Sequence, residues 1–144
     1  MNVRSTAEKS LALVGTLLAT LPLAAPVAFT AMRLAGGGSF AFDYLMPAEL
    51  FPLAMAGGLM ILAAGLLSKR RRWLAIASLA AAVAFFLGVN VGAELTGLAS
   101  GRHPAAGWRL ALVGGFLVLF VAAEIAIAVG GALLSRDLFR KRTG

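Results

Sequence analysis

The chain has 144 residues, 60% of them hydrophobic and 13% charged, and carries 13 Lys and Arg against 6 Asp and Glu for a net charge of +7. With a mean hydropathy of +0.92 it is too apolar for an ordinary soluble domain, in which about a quarter of residues are charged. The lack of cysteine excludes disulfides, thiolate metal ligands and iron-sulfur clusters, and a single histidine excludes bis-histidine haem ligation within one chain.

Residues 1–10 carry Arg4, Glu8 and Lys9, and Leu11 to Met32 then runs without a charge, long enough to cross a hydrocarbon core of ~30 Å. A signal peptide competes with this reading, because small residues around Ala24 to Ala28 resemble a cleavage region, but the apolar stretch is longer than such peptides use. Pro22 and Pro26 each remove a helix hydrogen bond, so the first span is expected to kink, with Thr16, Thr20 and Thr30 positioned to satisfy the freed carbonyls. Arg33 to Leu45 is a connection: three consecutive glycines disfavour helix, and Phe40, Phe42 and Tyr44 suit an interfacial aromatic belt.

Pro47 marks the start of a second span over 47–67, with Glu49 in its first turn where the helix dipole favours a carboxylate. Gly57, Gly58 and Gly65 allow close helix approach along it. Ser68-Lys69-Arg70-Arg71-Arg72 follows, a knot of positive charge that cannot sit in hydrocarbon and therefore reads as a turn. Lys69, Arg70, Arg71 and Arg72 are the candidate contacts for anionic lipid headgroups.

The third span, 73–98, opens on an interfacial Trp73 and holds the pair Gly88 and Gly92 on one face, with Asn90 and Glu94 together on another. A short polar connection with Arg102 and His103 leads to Arg109 and the fourth span, 109–134. Glu124 lies near the middle of that span, with Ala122, Ala126 and Gly130 as a small-residue stripe about half a turn away. Residues 135–144 form a basic tail. The strings Gly65-Leu66-Leu67-Ser68-Lys69-Arg70 and Ala132-Leu133-Leu134-Ser135-Arg136 end the two hairpins alike, a faint internal repeat of the kind on which membrane termini also converge.

Lys and Arg number two before the first span, four in the central turn and four in the tail, against one and two in the other connections. The positive-inside rule then puts both termini and the central turn in the cytoplasm. The expected fold is all-α: one integral-membrane four-helix domain, up-down-up-down, in a bacterial inner (cytoplasmic) membrane.

With this orientation Asp43, Glu49, Arg102, His103 and Arg109 form an outer-face polar cluster, and Glu94 lies near the same boundary with Asn90 one turn deeper. Glu124 is the outlier, because an ionisable residue at mid-depth costs several kcal/mol unless protonated, paired or hydrated. Glu124, Asn90 and Glu94 are therefore the candidates for transport or proton binding. Against this stands a packing role, in which Glu124 bonds a Thr, Ser or Asn of a neighbouring helix.

No P-loop, zincin, nucleophile-elbow or dinucleotide-binding pattern occurs, so no catalytic residue, cofactor or metal site is assigned. The expected partners are a bilayer with anionic headgroups and a second copy or another membrane subunit, not nucleic acid, because the basic residues sit in short tracts beside apolar runs. Three classes of function follow, in order. The first is a structural or accessory packing subunit. The second is an oligomeric proton- or cation-coupled transporter or channel using Glu124, and the third a membrane enzyme or lipid-binding protein using the outer cluster.

Overall fold

The computed structural model describes residues 3–37, 50–101 and 106–140. It is all-helical, with α1 over Val3–Ala35, α2 over Phe51–Ser68, α3 over Arg72–Leu95 and α4 over Gly107–Arg140. Each helix is long and apolar enough to cross a membrane. At 1.5 Å per residue the 18 residues of α2 reach ~27 Å, close to a hydrocarbon core, whereas the 34 residues of α4 reach ~51 Å.

The excess length of α1 and α4 lies largely in segments read from sequence as polar ends. Helix α1 begins at Val3 instead of near residue 11, and α4 continues through the first part of the basic tail to Arg140. Neither segment contains Gly or Pro, so a helix already nucleated in the apolar run propagates through Ala, Glu, Lys, Leu and Arg. The two extensions meet: the Lys9 ammonium sits 5.3 Å from the centre of the Phe139 ring. At the other end α3 stops at Leu95, three residues short of the expected boundary, because Gly97 turns left-handed (φ 71°) and its N–H donates to the Glu94 carbonyl at 3.0 Å. The start of α2 expected at Pro47, together with Phe40, Phe42 and Tyr44, lies outside the described residues.

The basic knot is a turn, as its charge requires. Lys69 adopts the left-handed conformation (φ 56°), and the N–H groups of Lys69 and Arg70 return to the carbonyls of Leu66 and Gly65 at 3.3 and 3.1 Å. These two bonds are the Schellman pattern that satisfies the end of a helix. Gly65 is what admits them, since a Cβ there would stand 3.2 Å from the Arg70 carbonyl oxygen. Arg71 is left-handed as well (φ 48°) and starts α3. Its Nε donates to Asp137 Oδ2 at 2.7 Å, and Arg70 Nη1 donates to the Asp137 carbonyl at 3.3 Å, tying the turn to the end of α4.

Helix α1 runs unbroken through Pro22 and Pro26. The threonines do not serve the carbonyls that the prolines free, which belong to Leu18 and Pro22. Thr16 donates to Ala12, Thr20 to Thr16 and Leu17, and Thr30 to Pro26. The reason is geometric, because a helical Thr hydroxyl reaches only the carbonyl three or four residues before it.

Helix α1 packs on α2 and α4, α3 packs on α4, and α2 fills in against α3 and α4. Many of the buried positions are small, Ala12, Ala19, Ala64 and Ala82 among them beside Ile61, Phe120 and Leu134, while large residues such as Leu17, Val27 and Val118 are exposed. That distribution suits lipid, where close backbone approach drives association in place of water exclusion. At the α1–α2 crossing, a Cβ on Gly57 would fall 2.6 Å from both the Ala19 nitrogen and the Gly15 oxygen. Gly88 and Gly92 receive the Phe116 ring of α4. The expected stripe of Ala122, Ala126 and Gly130 does not form one buried face, since Ala122 is exposed and Gly130 lies against Leu74. The small residues buried on α4 are instead Ala123, Ala128, Gly130 and Gly131.

Candidate functional site

One face of α4 is buried in steps of three and four: Phe120, Ala123, Glu124, Ile127, Ala128 and Gly131, and onward to Leu134, Ser135 and Leu138. Glu124 belongs to this face and lies 17 residues from Gly107 (124 − 107) and 16 from Arg140 (140 − 124), midway along the helix. About 25 Å of helix separates it from the nearer end. Its residue exposure is 1%, and neither carboxyl oxygen has a hydrogen-bond partner among the described residues. The bond to a neighbouring Thr, Ser or Asn that a packing role would call for is not there.

Aromatic rings close the core one helical turn from the carboxyl. Phe51 of α2 and Phe86 of α3 are stacked, with ring centres 3.8 Å apart and planes 5° from parallel. Phe120 of α4 tilts against them at 5.7 and 5.8 Å. On the opposite side, Ile127 packs near Gly58 and Leu79. Further along, Thr16 of α1 and Ile61 of α2 press on Gly131. Ser135 follows, also buried and with no partner for its hydroxyl among the described residues. The pairings of Lys9 with Phe139 and of Thr16 with Gly131 place Glu124 opposite the stretch of α1 that holds Pro22. The backbone carbonyls freed by the two prolines thus occur in the part of α1 level with the carboxyl.

The other candidates are not gathered around Glu124. Asn90 and Glu94 lie on the exposed face of α3, and the Asn90 amide donates to its own helix, to the Phe86 carbonyl at 2.8 Å. Arg109 sits in the first turn of α4, its guanidinium carbon 5.7 Å from the centre of the Trp108 ring. Asp43, Glu49, Arg102 and His103 lie outside the described residues, and with them most of the outer-face cluster. Of the basic turn, Lys69, Arg71 and Arg72 are exposed and Arg70 is half-buried, with Arg72 5.8 Å from the centre of the Trp73 ring.

Three features escape a reading of the sequence. Asp137 neutralises part of the basic knot; the one signal is that it is the sole acid of the tail. Ser135 is buried because α4 continues past its apolar run. The Phe51–Phe86–Phe120 cluster joins residues about 35 apart in sequence on three helices, which leaves no local pattern.

Chemically the site is a carboxyl in an apolar, closely packed core. Ionised and unpaired there it costs several kcal/mol, so it is held as the neutral acid or meets a cation when charged. Compared with known proteins, the chain matches no family model, no curated protein and no solved structure.

Proposed function

We propose that the protein is a small four-span membrane transporter or channel component in which Glu124 is the working group, taking up and releasing a proton in the middle of the bundle. The observation that carries this reading is the carboxyl at 1% exposure with neither oxygen partnered among the described residues. A group that served packing alone would bond a neighbour, or would give way to a leucine at lower cost. The reading places the spans up-down-up-down, with both termini and the basic turn cytoplasmic, supported by the excess of Lys and Arg beside them. A reporter fused after Gly144 must then read cytoplasmic; a reporter active only on the outer side inverts the assignment.

Four helices with so compact a core enclose little aqueous space, so transport by this chain calls for a second copy or a partner. Asn90 favours the companion reading of an accessory packing subunit, because an exposed amide on a membrane helix is served by another helix better than by lipid. Exposed Lys69, Arg71 and Arg72 suit the headgroups of anionic lipids at the same boundary.

The test is proton flux into liposomes driven by a pH gradient. Glu124→Gln keeps the size of the side chain and removes its acidity, so flux should be lost while helicity and elution volume are unchanged. Equal flux in the variant removes Glu124 from the pathway and leaves the packing subunit as the function.

A further inference from the structure

Glu124 divides the interior of the bundle into halves of different chemistry. Toward the Phe51 end the core is closed within one turn by rings from α2, α3 and α4, the tightest pair stacked at 3.8 Å. The buried polar side chain beyond them, Thr96, spends its hydroxyl on the Gly92 carbonyl at 2.6 Å. No group between the rings and the carboxyl is placed to pass a proton among the described residues.

The half toward the basic turn differs. Gly131 and Ser135 follow Glu124 by 7 and 11 residues, and at about 100° per residue all three fall within about 20° of one line along α4. Thr16 of α1 lies against Gly131, and Ser135 has a buried hydroxyl with no partner among the described residues. Thr16 donates to Ala12, which leaves its oxygen free to accept, while the Ser135 hydroxyl is free both to donate and to accept. Ala12 of α1 and Ala128 of α4 are small buried residues in this half, which limits the side-chain bulk that transient water displaces. Steps of ~10 Å and ~6 Å along the line exceed one hydrogen bond, so water completes the route between these hydroxyls.

Charged groups do not complicate the picture. Helix α2 has no titratable side chain, α3 has only Arg72 and Glu94 at its two ends, and those of α1 and α4 other than Glu124 also lie in the outer two turns of their helices: Arg4, Glu8, Lys9 and Arg33, and Arg109, Arg136, Asp137 and Arg140. A proton leaving Glu124 toward the basic end therefore meets Glu8, Lys9 and Asp137 only on arrival.

We infer that Glu124 exchanges its proton with the basic end of the bundle alone, along the α1–α4 seam where Thr16 and Ser135 are the relay hydroxyls, and that Phe51, Phe86 and Phe120 seal it from the opposite end. This rests on the reading of Glu124 as a proton carrier. Thr16 and Ser135 act here as positioning residues for water and proton, not as carriers themselves.

The experiment uses the full chain in sealed phosphatidylcholine vesicles, with orientation fixed by protease access to a tag after Gly144. The probe is dicyclohexylcarbodiimide, which enters through lipid and adds to a protonated carboxyl to leave an N-acylurea. Modification of the Glu124 peptide is read by mass spectrometry while the pH on each side is set independently. Labelling should rise when the basic side is acidified and stay level when the opposite side is. A response to the opposite side, or equally to both, overturns the inference and leaves Glu124 as a proton carrier; no labelling under any combination overturns both.

Thr16→Val combined with Ser135→Ala should lose the response to the basic side, and Thr16→Ser combined with Ser135→Thr should restore it. A Val/Ala variant that keeps the wild-type response removes these hydroxyls from the route. Phe86→Ala should add a response to the opposite side, and a folded variant without one means that the rings are not the seal.

Discussion

At the scale of one residue, Glu124 is a liability to the fold that contains it. Its oxygens find no hydrogen-bond partner among the described residues at 1% exposure, and an unsatisfied buried polar group of this kind costs about 1–3 kcal/mol. Glu124→Leu should therefore raise the stability of the bundle in detergent by roughly that amount while abolishing transport, the trade expected where a destabilising side chain is kept for function. Thermal unfolding alongside liposome flux checks it; a variant less stable than the wild type would reveal a hydrogen bond or ion partner that holds the carboxyl. The depth of Glu124 was legible in the sequence, because a charge in the middle of an apolar run is placed by counting residues. Its lack of a partner was not, because that depends on how each helix is rotated and on the preference of Thr16 and Thr20 for carbonyls of their own helix.

At the scale of the helix, the glycines separate into those the bundle needs and those it does not. A Cβ on Gly57 would strike backbone atoms of α1 at 2.6 Å, which no rotamer change relieves, whereas one on Gly114 meets nothing within 4 Å. Gly57→Ala should thus cost about 1–3 kcal/mol by forcing α1 from α2. Gly114→Ala should be neutral or stabilising by up to about 1 kcal/mol through helix propensity. Equal effects of the two substitutions on unfolding would mean that the α1–α2 crossing is not so close. The existence of all four helices could be read from apolar run length, and Gly57 and Gly58 were legible as contact points, whereas Gly65 lies against the backbone of the turn at Arg70 and Arg72. The helix ends were not, since hydropathy falls off at Lys9 and Ser135 while helical hydrogen bonding continues past them. Pro22 and Pro26 both lie inside α1, which stays a continuous helix through them.

At the scale of the molecule, two ends of unlike character frame the carboxyl. One gathers the basic turn, Asp137 and the extensions of α1 and α4; toward the other, the core is closed one turn from the carboxyl by Phe51, Phe86 and Phe120. The basic knot is the most conspicuous feature of the sequence, and in the structure it is a clamp: a turn through left-handed Lys69 and Arg71, with Arg70 and Arg71 bound to Asp137 of α4. Its charge was legible, but its attachment was not, because the residues it joins are 66 apart in sequence.

The claim on which the rest depends is that Glu124 exchanges its proton inside the folded bundle. The most direct measurement is the infrared carbonyl band of a neutral carboxylic acid in membranes containing the protein, with the spectrum of Glu124→Gln subtracted. The band should weaken reversibly as pH is raised and return as it is lowered, with the helical amide bands unchanged. A band that stays constant until the protein unfolds would show a permanently neutral side chain and contradict the account.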